Sequence, residues 1–111
     1  MRHTINVLVN SQTLHPQRVF YALGSMPRRQ IIAFLSQTAL STADLAERFG
    51  MSRPAVSRHL SVLARAGLIA GERQGQRVLY RLKRDALLGA LGRFASEVDG
   101  PLKYRNPRDA I

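Results

Sequence analysis

Between Ser41 and Gly67 the chain carries two helical hydrophobic repeats separated by only three residues, and nothing else in it narrows the available folds as much. Ser41 or Thr42 caps the first helix, Asp44 sits in its opening turn where the helix dipole favours an acid, and Leu45, Ala46 and Phe49 recur at helical spacing as its buried face. Gly50 ends it. After Gly50, Met51 and Ser52 a second helix begins, with Ser52 as cap and Pro54 tolerated in the first turn, and it runs to about Ala66 before Gly67 closes it. A short helix, a tight glycine turn and a following helix form the helix-turn-helix arrangement.

The flanking sequence supplies the rest of a small domain. Pro16 opens a helix that places Val19, Phe20 and Leu23 on one face and stops at Gly24; Ser25 then caps another, with Pro27 in its first turn and Ile31, Ile32 and Leu35 turned inward, ending near Gln37. Beyond Gly67, Leu68-Ile69-Ala70 and Val78-Leu79-Tyr80-Arg81-Leu82 read as two strands around the polar loop 72–77. A last helix over about 84–98 sets Leu87, Leu88, Leu91, Phe94, Ala95 and Val98 on one stripe about 120° wide. The expected architecture is mainly α with a small β-hairpin: four helices, two strands and a fifth helix, a winged helix-turn-helix. Residues 1–14 are an N-terminal extension whose pattern fits strand or helix equally, 15–98 the domain, and 99–111 a basic, frayed tail.

Charge decides between partners. The 111 residues hold 17 Lys plus Arg against 7 Asp plus Glu, a formal charge of +10, and no acid precedes Asp44. Arginine dominates, and its planar fork binds phosphate or guanine bidentately where lysine acts as a point charge. An acidic partner is implied, with double-stranded DNA favoured. Cysteine is absent, which excludes disulfides, thiolate metal sites and thiol switches. No apolar run approaches the roughly 20 residues of a membrane span, and residues 1–14 lack the order of a signal peptide, so no membrane association and a cytoplasmic location are expected.

A helical wheel of the stretch after Ser52 separates two faces. Val56, Leu60 and Leu63 fall together and must pack inward, while Pro54, Ser57, Arg58, Ser61 and Arg65 cluster opposite with no acid among them. In a helix-turn-helix this second helix enters the major groove with its N-terminal residues at base edges. Arg53, Ser57 and Arg58 are then the natural readers, Pro54 and Ala55 can touch a thymine methyl, and Ser52 and Ser61 complete the surface. His59, on the flank, either bonds a phosphate or satisfies a local backbone group; His3 and His15 have no visible partners. The hairpin is a wing whose tip bears Arg73, Gln74, Gln76 and Arg77 around Gly75, suited to phosphates or an adjacent minor groove. A charged face of this kind is also compatible with simple hydration, or with an acidic protein partner.

The stretch Leu23-Gly24-Ser25-Met26-Pro27-Arg28-Arg29-Gln30-Ile31-Ile32, followed by Thr42-Ala43-Asp44-Leu45-Ala46, Ser52-Arg53-Pro54-Ala55-Val56-Ser57-Arg58-His59-Leu60, Leu63, Ala66-Gly67-Leu68-Ile69 and Gly75-Gln76-Arg77-Val78-Leu79-Tyr80, resembles the ArsR/SmtB family of dimeric repressors over residues 19 to about 98. The resemblance implies a winged helix dimerised through its first and last helices that blocks transcription until an inducer is sensed. The chain departs from the metal-sensing members: Asp44-Leu45-Ala46-Glu47-Arg48 stands where thiolate sensors carry Cys-x-Cys, and the last helix has no histidine. No metal and no cofactor are therefore expected, and the inducer is unspecified.

The terminal stripe supports dimerisation independently. Ile31, Ile32, Leu35, Leu45, Phe49, Val56, Leu60 and Leu63 already make a core, so some of Leu87, Leu91, Phe94 and Val98 are expected to remain for a partner. With Val19, Phe20 and Leu23 of the first helix, which the resemblance implies, they make the expected homodimer interface. Two recognition helices would then face half-sites of an inverted repeat. A winged-helix protein-interaction module and a non-specific DNA-binding protein are the alternatives. An enzyme is not expected, because no catalytic set of nucleophile, base and orienting acid can be assembled.

Overall fold

Serine hydroxyls start three of the helices, each for the same local reason: the first turn of a helix leaves backbone N–H groups without partners. In the computed structural model, which describes residues 16–99, Ser25 accepts from the Arg28 N–H at 3.4 Å and Ser52 from that of Ala55 at 3.2 Å. Ser41 and Asp44 cap reciprocally, at 3.1 Å and 3.0 Å. The elements are α1 (Pro16–Leu23), α2 (Met26–Leu35), β1 (Leu40–Ser41), α3 (Thr42–Phe49), α4 (Arg53–Arg65), β2 (Ile69–Gln74), β3 (Arg77–Leu82) and α5 (Arg84–Asp99). The expected extension 1–14, the tail beyond 99, His3 and His15 lie outside the described residues.

Two features differ from the expectation. The hairpin is longer: residues 72–74 and 77, assigned to a polar loop, pair within the ladder, and only Gly75 and Gln76 form the turn. Gly75 has φ 65° and Gln76 does not share the positive φ, the pattern of a II′ connection that matches strand twist. The second difference is β1, two residues that pair antiparallel with β3, Leu40 opposite Tyr80 and Ser41 opposite Leu79, giving the sheet order β1-β3-β2. A strand this short has no periodicity of its own and exists through its partner.

The core gathers Ile31, Leu45, Val56, Leu60, Leu63, Leu68 and Ile69, all essentially sealed, with Ile32, Leu35 and Leu40 close behind. Val19 belongs to it as well. Expected at a dimer interface, it is 0% exposed within the chain because α1 lies with its 19/22 face against α2 and α4, leaving no surface for a partner. Leu23 and Leu87 are half-buried against the same core, and of α5 only Ala90 is buried.

Candidate nucleic-acid interface

Helix α4 is aimed by the turn before it. Gly50 takes φ 64°, a left-handed conformation that costs glycine nothing, and with it the N–H groups of Gly50 and Met51 both return to the Ala46 carbonyl. The chain thus reverses within three residues, and α4 sets off with Val56, Leu60 and Leu63 in the core. The opposite face is open: Ser52, Arg53, Pro54, Ser57, Arg58 and Arg65 are exposed, Ala55, His59 and Ser61 half-exposed. Among the described residues Arg53, Arg58 and Arg65 make no ion pair. Their charge is left for an external anion.

The two arginines of the wing, alike in sequence, part company in the fold. Arg73 pairs across the ladder with Val78 and Arg77 with Gln74, so successive residues put them on opposite faces. Arg77 turns toward α3, where its guanidinium donates to the Asp44 carboxylate at 2.8 Å and to the Ser41 hydroxyl at 3.4 Å. That carboxyl is held below the usual carboxylate range, first by the Ser41 backbone N–H and then by the Ser41 hydroxyl, with Arg77 and Arg48 adding their charge. Arg73 makes no ion pair among the described residues and remains exposed, as do Gln74 and Gln76. On the Arg77 face Arg81 meets Glu72 at 3.3 Å. The wing is pinned to the helix-turn-helix through one arginine and offers the other.

His59 is half-buried and faces Arg28, whose Nη1 lies 3.4 Å from the imidazole Nδ1. Burial, then the charges of Arg28 and Arg58, push its pKa below the ordinary value of 6.5. Arg28, one of the arginines that precede the first acid of the chain, is only 9% exposed. The signal for it in the sequence is its place four residues after Gly24, at the start of the next helix, where the last carbonyls of α1 need donors.

A second surface is apolar. Phe20 of α1 and Phe94 of α5 meet edge to face with ring centroids 5.3 Å apart, and on α5 Leu88 and Val98 stay largely in solvent, Val98 at 69%, with Leu91 partly so. The described helices include none long and apolar enough to cross a membrane.

A helix-turn-helix followed by a projecting two-stranded wing defines the winged helix-turn-helix class. Within it, residues 27–70 match the family model described as "Bacterial regulatory protein, arsR family". The transcriptional repressor SdpR of Bacillus subtilis (strain 168) is 36% identical over 69 residues, covering 62% of this chain and 77% of the relative. The HTH-type transcriptional regulator KmtR of Mycobacterium tuberculosis (strain ATCC 25618 / H37Rv) is 36% identical over 96 residues, 83% of this chain and 72% of that protein. A homodimeric winged helix-turn-helix DNA-binding domain from Mycobacterium bovis, solved in solution, superimposes with a TM-score of 0.62 at 28% identity, covering 81% of this chain and 86% of the other. The chain belongs to the arsR family of bacterial regulatory proteins, and is a transcriptional regulator rather than an enzyme.

Proposed function

We propose that this regulator is a homodimeric repressor that reads an inverted-repeat operator, with α4 in the major groove and the wing on the adjacent backbone or minor groove. The observation that carries the reading is the acid-free face of α4, where Arg53 and Arg58 are exposed with no internal ion pair while the opposite face is sealed in the core. Such a surface suits a DNA groove: N-terminal arginines reach guanine O6 and N7, and the Ser52, Ser57 and Ser61 hydroxyls bond base or phosphate. Arg73, Gln74 and Gln76 then meet the flanking DNA.

Dimerisation completes the arrangement. Phe20, Leu91, Phe94 and Val98 form a continuous apolar surface of α1 and α5 that a second copy covers, and a two-fold axis there turns two α4 helices toward half-sites roughly 34 Å apart. The SdpR relationship supports repression, and the homodimeric Mycobacterium bovis domain supports the pairing. Footprinting on the DNA upstream of the regulator's own gene tests it. Two protected half-sites about one helical turn apart are expected; the absence of any complex at low salt would favour an acidic protein partner instead.

A further inference from the structure

Arg28 is the most buried charge among the described residues, and it has no carboxylate partner there. Its Nε donates to the Ala22 carbonyl at 2.7 Å, its Nη2 to the Tyr21 carbonyl at 3.0 Å, and the guanidinium lies 5.1 Å from the centroid of the Tyr21 ring. The neighbouring Arg29 donates to the Leu23 carbonyl at 2.7 Å. Three successive carbonyls at the C-terminus of α1, where the helix dipole is negative, are thereby bound by two consecutive arginines at the start of α2. Desolvation of the Arg28 charge is offset by backbone oxygens and by a ring face.

One arm remains. Arg28 Nη1 reaches across to α4 and meets His59 Nδ1 at 3.4 Å. A guanidinium has only donors, so a hydrogen bond here requires Nδ1 to accept, which is the neutral tautomer with its hydrogen on Nε2. We propose that Arg28 is a positioning residue for DNA binding, which joins α1 to α4 through the neutral imidazole of His59 and so couples the face that dimerises to the helix that reads DNA. The proposal rests on the DNA-binding reading above and deepens it. A second consequence follows for pH. The charged groups facing His59 are Arg28 from α2 and Arg58 from α4 itself, both cations, so a protonated ring would replace the hydrogen bond by repulsion and loosen α4 from α1. Because the ring's pKa is lowered in the folded chain, the contact persists below the ordinary value of 6.5 and is lost as pH falls through the lowered one. Its stability cost begins once the unfolded ring takes up a proton, below about pH 6.5.

Two measurements on the full chain test this. Long-range proton–nitrogen NMR of the wild-type imidazole near neutral pH is expected to show the neutral Nε2–H form; the Nδ1–H form or a charged ring overturns the proposal. Operator affinity is then compared for wild type, Arg28→Lys, His59→Leu and the double variant, with each checked for folding by circular dichroism. A loss of about tenfold is expected for His59→Leu, with the double variant little worse than the worse single one. His59→Gln, which keeps an acceptor in place of Nδ1, should recover part of the loss and remove the decline of affinity that the wild type shows on acidification below the ordinary histidine value. Wild-type affinity for His59→Leu, or fully additive losses, sinks the coupling. Should Arg28→Lys fail to fold, the wild-type tautomer and the His59→Leu and His59→Gln comparison still decide. A wild-type protein that shifts no operator defeats the DNA reading itself, whereas wild-type binding unaffected by His59→Leu defeats only the coupling.

Discussion

Helices α4 and α5 share amphipathic patterning but not its fulfilment. Along α4 every third or fourth residue, Val56, Leu60 and Leu63, is sealed by the chain's own core, and the polar face is left bare; along the longer α5 only Ala90 is buried, while Leu91 is 38% and Phe94 51% exposed. The difference separates two kinds of surface. One helix finishes its packing inside the domain and presents charge, the other presents the apolar stripe that a core should have consumed.

That contrast can be broken in order of expected effect. Leu91→Asp with Phe94→Asp should abolish the dimer at micromolar concentration in analytical ultracentrifugation, and operator binding with it, yet leave the monomer folded because neither side chain is buried. Leu60→Ala should do the reverse, costing about 2–5 kcal/mol in denaturant unfolding. If the α5 pair unfolds the chain instead, that stripe is core and the two helices are alike. On the charged side, Arg58→Ala should weaken operator binding by about 1–3 kcal/mol while leaving random duplex much less affected; equal losses on both would remove base readout from α4.

The wing sharpens the comparison further. Arg73→Ala should lower binding to all sequences and reduce the salt slope by about one, the signature of a lost phosphate contact. Arg77→Ala should instead behave like Asp44→Asn, weakening binding with the slope unchanged and with little additional loss when the two are combined, since both remove the ion pair between wing and α3. A reduced slope for Arg77→Ala would return it to the DNA surface. The smallest effect concerns acid. Asp44 is favoured as the carboxylate in the folded state, so its stabilisation is fully present above about pH 4 and is lost as pH falls through its lowered value. The difference in melting temperature between wild type and Asp44→Asn should shrink on acidification below about pH 4, and a constant difference would exclude the carboxylate as its source.

What the sequence disclosed and what it concealed follow from the range of the interactions. The caps at Ser25 and Ser52, the turn at Gly50 and the two faces of α4 depend on residues within four positions of one another, and each was legible. The strand β1 was not, because Leu40 and Ser41 are extended only through Tyr80 and Leu79, far along the chain. Val19 looked like an interface residue beside Phe20, yet the angle between adjacent helical positions sends one into the core and the other outward, and only the placement of α2 and α4 decides which. The partners of Arg28 and Arg77 were hidden because nothing local marks the carbonyls of Tyr21 and Ala22 or the carboxylate of Asp44 as their acceptors.

The small strand β1 has a consequence for how the protein fares at high concentration. An uncovered strand invites pairing with other chains and is a starting point for aggregation. In the order β1-β3-β2, the apolar strand β3, with Val78, Leu79, Tyr80 and Leu82, is the interior one. The two borders of the sheet are β1, too short at two residues to template a neighbour, and β2, whose outer half carries Glu72 and Arg73. The middle of the stickiest strand, at Leu79 and Tyr80, is thereby kept from the rim, which removes the template for edge-to-edge pairing at those two residues.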